Sequence, residues 1–118
     1  MRNLDAIADS IRQTMTAQND ARDQALAQSR ELIRHCAECI RAIHRQNWEQ
    51  VDAKFAIIRQ KTDELRAVVA DYPDLYHTGY TQDALKEVVE AHITYAIIQD
   101  TDLPTAADLN VDGSPYLR

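Results

Sequence analysis

Glycine and proline are almost missing from this chain of 118 residues, which holds two of the first and three of the second and neither before Pro73. So long a stretch without a helix breaker points to an all-α protein, with the few turn residues gathered around short connections after Asp71. Long apolar runs are also absent. None approaches the roughly 18 residues of a membrane span, and the N-terminus "MRNLDAIADS" carries acids where a signal peptide would be apolar. The expectation is a soluble, cytoplasmic protein without a membrane partner. Positive charge is in deficit, with a formal net charge of -6 and a pI near 5.0. No global basic field exists to draw nucleic acid, so any such binding needs a local patch. Only two cysteines occur, as Cys36-x-x-Cys39 beside His35. A zinc site wants about four ligands, and no second Cys pair or His-x-x-x-His completes one. A redox pair wants a strand and a helix N-terminus behind it, whereas this motif lies inside a helical pattern. The two are expected to be small residues on a helix face in a reducing compartment.

What is present is helical periodicity over about one domain's length, residues 1–118. Leu4, Ile7, Ile11 and Met15, then Leu26, Ile33, Cys36, Ile40 and Ile43, recur at spacings of three, four and seven. This is one long amphipathic helix, or two broken near Thr14 to Asp20. Unbroken, about 40 residues would reach roughly 60 Å, beyond the diameter of a compact domain of this size, which favours an oligomer. Asn47 with Gln50 forms a capping box for a second helix that Pro73 stops. The segment "YPDLYHTGY" reads as loop, Thr81 as the cap of a third helix to about Asp100, Thr105 as the cap of a short turn, Gly113 as a turn, and Ser114-Pro115 as a helix start.

Two polar stripes carry the chemistry. Arg30, Arg34, Arg41 and Arg45 fall within about 60° of one another on a helical projection, with His44 beside them and the apolar set more than about 90° away. Spread over about 22 Å, such a row suits a phosphate backbone, for which the planar guanidinium fork is fitted. The alternative is a solvated helix face with pairs such as Glu38 and Arg41. The second stripe lies in "ALKEVVEAHITYAII", where Glu87 and Glu90 share a helix face with Asp83 and Thr94 among mostly apolar neighbours. Carboxylates tolerate such a place if they meet cations, either a divalent ion such as Mg²⁺ or Mn²⁺, or Lys86 and a neighbouring chain's arginines. His92 lies on the far side of the helix from Glu90 and cannot join that cluster. A ferritin-like di-iron site is set aside, because no Glu-x-x-His occurs.

These residues resemble the translin superfamily, and within it the translin-associated factor X branch. The resemblance rests on the Ser-Arg start, spaced isoleucines and His-Arg end of "SRELIRHCAECIRAIHR", on the Leu-x-Glu-x-Val-Glu-Ala core of "LKEVVEAHITYAI", and on the tail "LPTAADLNVDGSPYL". It implies an antiparallel bundle of long helices in a single translin-like domain over residues 1–118. It also implies assembly into a hollow, roughly octameric homo-oligomer that binds single-stranded RNA or DNA inside and cuts RNA with Mg²⁺ or Mn²⁺. By position, Glu87 and Glu90 would be the catalytic acids and the metal ligands. Arg30, Arg34, Arg41, His44 and Arg45 would lie in the nucleic-acid-binding region. Family members continue for several more helices, and the one opened by Ser114-Pro115 would supply a third acid that a chain ending at Arg118 does not contain. A truncated chain with weak metal affinity is therefore expected. Two other readings stay open: a scaffold that holds RNA or DNA without cutting it, and a helical oligomerisation module that binds no nucleic acid.

Overall fold

A computed structural model describes residues 2–99, and every regular element in them is helical: α1 (Arg2–His44), α2 (Trp48–Ala70), α3 (Pro73–Tyr76) and α4 (Gly79–Gln99). The fold class is all-α among the described residues. The cap at Thr105, the turn at Gly113 and the helix start at Ser114-Pro115 lie outside them.

Helix α1 runs unbroken for 43 residues, so of the two readings of this segment the single helix holds. With no proline or glycine in it, nothing interrupts the ladder. In the weak segment Thr14 turns its hydroxyl back to the Ser10 carbonyl at 3.0 Å instead of breaking the helix. At 1.5 Å per residue the helix spans about 64 Å, and the molecule measures 68 × 25 × 18 Å.

The end of α1 is a Schellman motif. Asn47 N–H donates to the Ala42 carbonyl and Gln46 N–H to the Ile43 carbonyl, both at 3.0 Å, with Gln46 in the left-handed region at φ 57°. Asn47 then caps α2, its side-chain oxygen accepting from Gln50 N–H at 3.3 Å. The expected capping box is modified. Asn47 N–H is already spent on Ala42, so the Gln50 side chain accepts from the Asn47 amide at 3.3 Å instead.

Helix α2 runs back along α1. Lys54 pairs with Glu38 and Lys61 with Glu31, so partner numbers fall on one helix as they rise on the other. Val51, Phe55, Ile58, Thr62, Leu65 and Val69 alternate at four and three residues and form its inner seam, all buried except the half-buried Phe55. Pro73 stops α2 as expected and then opens α3, a single turn inside the segment read as loop; proline fits a first helical position because its missing N–H is not needed there. Helix α4 begins at Gly79, ahead of the cap expected at Thr81. Thr81 is fully buried in the first turn instead, where its hydroxyl oxygen accepts from the Thr78 hydroxyl at 3.0 Å. Gln82 Nε2 donates to the Tyr76 carbonyl at 2.7 Å and ties α4 to α3.

Helix α4 also runs opposite to α2, and therefore in the direction of α1, since it starts beside the end of α2 and its far end meets the start. There Trp48 lies edge-on to Tyr95 with centroids 6.1 Å apart, and Phe55 stacks on His92 at 4.5 Å. Helix α1 is flanked by both. Its core face consists of small and medium residues, Ala21, Ala25, Ser29, Leu32, Cys36, Cys39, Ala42 and Ile43. Leu26, Ile33 and Ile40, counted in the apolar stripe from sequence, are only half-buried, because the small residues let α2 and α4 approach closely. No helix among the described residues is long and apolar enough to cross a membrane.

Candidate functional site

The α1 stripe emerges as expected in one respect. Arg30, Arg34, Arg41, His44 and Arg45 are all exposed, on the side of α1 away from its buried face. Two of the arginines are engaged locally. Arg34 Nη1 donates to Glu38 Oε1 at 3.2 Å, and Arg45 Nη2 to Gln50 Oε1 at 3.3 Å. Glu38 takes Arg34 and the α2 residue Lys54 rather than Arg41.

The acids sit on α4, whose inner face of Ala84, Leu85, Val88, Val89, Ala91 and Ala96 packs inward. Glu87 and Glu90 are half-buried beside that face, and Asp83 is exposed. The helix is less enclosed than its composition suggests, since Ile97 and Ile98 are exposed. Burial first, and then the Glu90 carboxylate, hold the Glu87 carboxyl above the usual carboxylate range, with Lys86 only partly offsetting them. Lys86 Nζ stands 4.0 Å from Glu90 Oε1, a loose pair. Thr94 donates to the Glu90 carbonyl at 2.8 Å and so is turned back on its own helix. The acids stand beside α1. The Cys36 thiol is pushed far up by its own burial, then by Cys39, and then by the charges of Glu87 and Glu90.

Both cysteines are free and fully buried, and burial pushes Cys39 up to about 11. They are inert packing residues, as their spacing inside a helix suggested. His92 stacks on Phe55, apart from the acids. Burial pulls its pKa below the ordinary histidine value.

Oxygen donors of this kind suit Mg²⁺ or Mn²⁺, and two crowded carboxylates, one raised in pKa by burial and by the other, are what a divalent cation relieves. The donor type fits. The number is short, because among the described residues no group of three or more His, Cys, Asp or Glu side chains is placed to hold a metal ion.

Sequence reasoning missed the polar seam between α1 and α2. His35 lies buried there, 3.4 Å from Lys54 Nζ and near Glu31 and Glu38 at 3.9 and 4.0 Å. The alternation of Glu31, His35 and Glu38 on one face was the available signal. A depression of about 540 Å³ at the corner of α2 and α3, lined by Arg66, Val69, Pro73, Tyr76 and His77 among others, contains neither stripe.

No protein-family model matches this chain, and neither the curated proteins nor the solved structures compared with it include a significant match.

Proposed function

We propose that this is a translin-like protein that binds single-stranded RNA or DNA through the α1 arginines and carries a Mg²⁺-dependent endoribonuclease site on Glu87 and Glu90. The finer architecture, an antiparallel bundle of long helices that assembles into a cytoplasmic homo-oligomer, belongs to the same proposal. One observation carries it: two half-buried carboxylates are held together on α4 beside α1, and Glu87 is destabilised by burial and by Glu90. An arrangement that costs the apo protein stability calls for a ligand of opposite charge.

Arg30, Arg34, Arg41 and Arg45 would grip phosphates as forked donors, with His44 at their edge. Glu87 and Glu90 would supply oxygen ligands, and a divalent cation held there lowers the pKa of bound water and stabilises charge on the phosphodiester.

The shortage of ligands among the described residues favours a second reading, a scaffold that binds the strand without cutting it. The double variant Glu87→Gln/Glu90→Gln separates the two. With millimolar Mg²⁺, the parent cleaves a labelled single-stranded RNA and loses cleavage in EDTA; the variant binds the RNA equally well and does not cut it. A parent that binds in a salt-dependent way but never cuts leaves the scaffold. A parent with no salt-dependent binding leaves only a helical oligomerisation module.

A further inference from the structure

The first buried residue of α1 is Ala21, and residues 2–20 before it are exposed throughout except for the half-buried Ala8. The corner of α2 and α3 reaches α1 at the level of Gln18 and Arg22, which line a cavity there with Asp71, Tyr72 and Pro73. What projects past that corner is a helical arm about 28 Å long. Most helical stability in proteins comes from packing an amphipathic face, and no described element packs on this one.

Leu4, Ile7, Ile11 and Met15 are each more than half exposed and fall within about 80° of arc. Arg2, Asp5, Asp9 and Arg12 all lie about 100° or more from the middle of that arc, and Arg12 pairs with Asp9 of its own helix. The stripe therefore has no charged rim by which a foreign partner would be steered or selected. It does match itself. Its spacings of three, four and four residues read backwards as four, four and three, so an antiparallel copy sets Ile7 against the partner's Ile11 and Leu4 against the partner's Met15. The two-fold axis then passes close to Asp9. Parallel pairing on this face is blocked by the rest of the molecule, because from Ala21 onward the same side of α1 carries α2 and α4. Those helices would collide with their counterparts in a copy lying alongside, whereas antiparallel arms hold the two bodies at opposite ends.

We propose that residues 2–20 of α1 pair antiparallel with the same arm of a second copy through Leu4, Ile7, Ile11 and Met15. This deepens the homo-oligomer part of the reading above and rests on it, while owing nothing to nucleic-acid binding. A contact no longer than the arm buries less than the roughly 800 Å² per partner of a standard stable interface, so association belongs in the micromolar range.

The test uses the full chain. Sedimentation velocity across the micromolar range should show reversible association, and Ile11→Gln should weaken it about tenfold or more, because each pair loses two apolar side chains from its seam. Direction is read by cross-linking. Leu4→Cys and Met15→Cys chains are oxidised separately and as a mixture, and the mixture should form a disulfide-linked dimer that neither chain forms alone. Like positions lie about 16 Å apart along an antiparallel pair, too far for a disulfide. The native Cys36 and Cys39 are fully buried, so the parent should not cross-link. Linkage of each variant with itself would mean parallel arms and overturns the proposal. Association without the mixed cross-link, or unchanged in Ile11→Gln, also overturns it and leaves a homo-oligomer built on another surface. A monomer throughout the micromolar range overturns the arm pairing and the homo-oligomer together.

Discussion

Gln46 occupies the left-handed region at φ 57°, where a Cβ is disfavoured and glycine is the usual residue. Its neighbours make the turn worth that cost: the Schellman bonds close α1, and Asn47 opens α2 one residue later. Replacing Gln46 with glycine should therefore raise stability by about 1 kcal/mol. Asn47→Ala should lower it by about the same amount, by leaving Gln50 N–H without its cap. Urea unfolding with unchanged slope measures both, and opposite signs are expected. A lower midpoint for the glycine variant would mean that the turn tolerates its side chain without strain. The pairing of Asn47 with Gln50 was legible from spacing. The left-handed Gln46 was not, because glutamine carries no preference for that region.

At the scale of elements, α1 and α2 are joined by a polar seam as well as an apolar one. Burial, and then the Lys54 and Arg34 charges, pull His35 below the ordinary histidine pKa, although Glu38 and Glu31 oppose them. His92 is lowered by burial alone. A base with a folded pKa below its unfolded value stabilises the fold above about pH 6.5, and this contribution is lost as pH falls through the folded value. Glu31 and Glu38, drawn down chiefly by their bonds to Lys61 and Lys54, stabilise above the ordinary carboxylate pKa and lose that effect in acid. Glu87 works the other way. Its raised pKa favours the fold at low pH and is lost as pH rises through the folded value. Unfolding temperature should thus fall as pH drops below about 6.5 and the histidines charge, and again below about pH 4.5 as Glu31 and Glu38 take up protons, while Glu87 opposes the loss at pH values from about 4.5 up to its raised folded pKa. His92→Phe keeps a ring against Phe55 but removes a proton site, so the first fall should become shallower. A profile identical to the parent's would remove His92 from this account.

The molecule as a whole is shaped by one unequal partnership. The helix α1 is about twice the length of α2 or α4, and its first half extends beyond both, leaving Leu4, Ile7, Ile11 and Met15 exposed by 61, 56, 54 and 56%. These four lie on the helix face that, further along, buries Ala25, Leu32 and Cys36. An apolar stripe continuous with a core face and open to water is expected to be covered by association. The parent should therefore sediment as an oligomer at micromolar concentration, and Ile7→Gln/Ile11→Gln should shift it towards the monomer. A parent that is monomeric in that range ends the oligomer expectation. The half-buried Leu26, Ile33 and Ile40 are a weaker contact surface than the sequence pattern suggested.

The sequence by itself determined the helices and their faces. Without glycine or proline before Pro73 the backbone has little alternative, and a period near 3.6 assigns each residue a direction. The arginine row and the pair Glu87 and Glu90 were legible for that reason, as were the cap at Asn47 and the stop at Pro73. Tertiary structure decided what each face meets. Periodicity cannot tell that Ala25, Ser29 and Cys36 form the seam while Ile33 and Ile40 lie at its margin, because closeness of approach depends on the partner helix. Nor can it tell that Glu38 chooses Lys54 or that His35 is buried. Those pairings depend on the register between helices, which was settled when α2 folded back along α1 and α4 returned beside it.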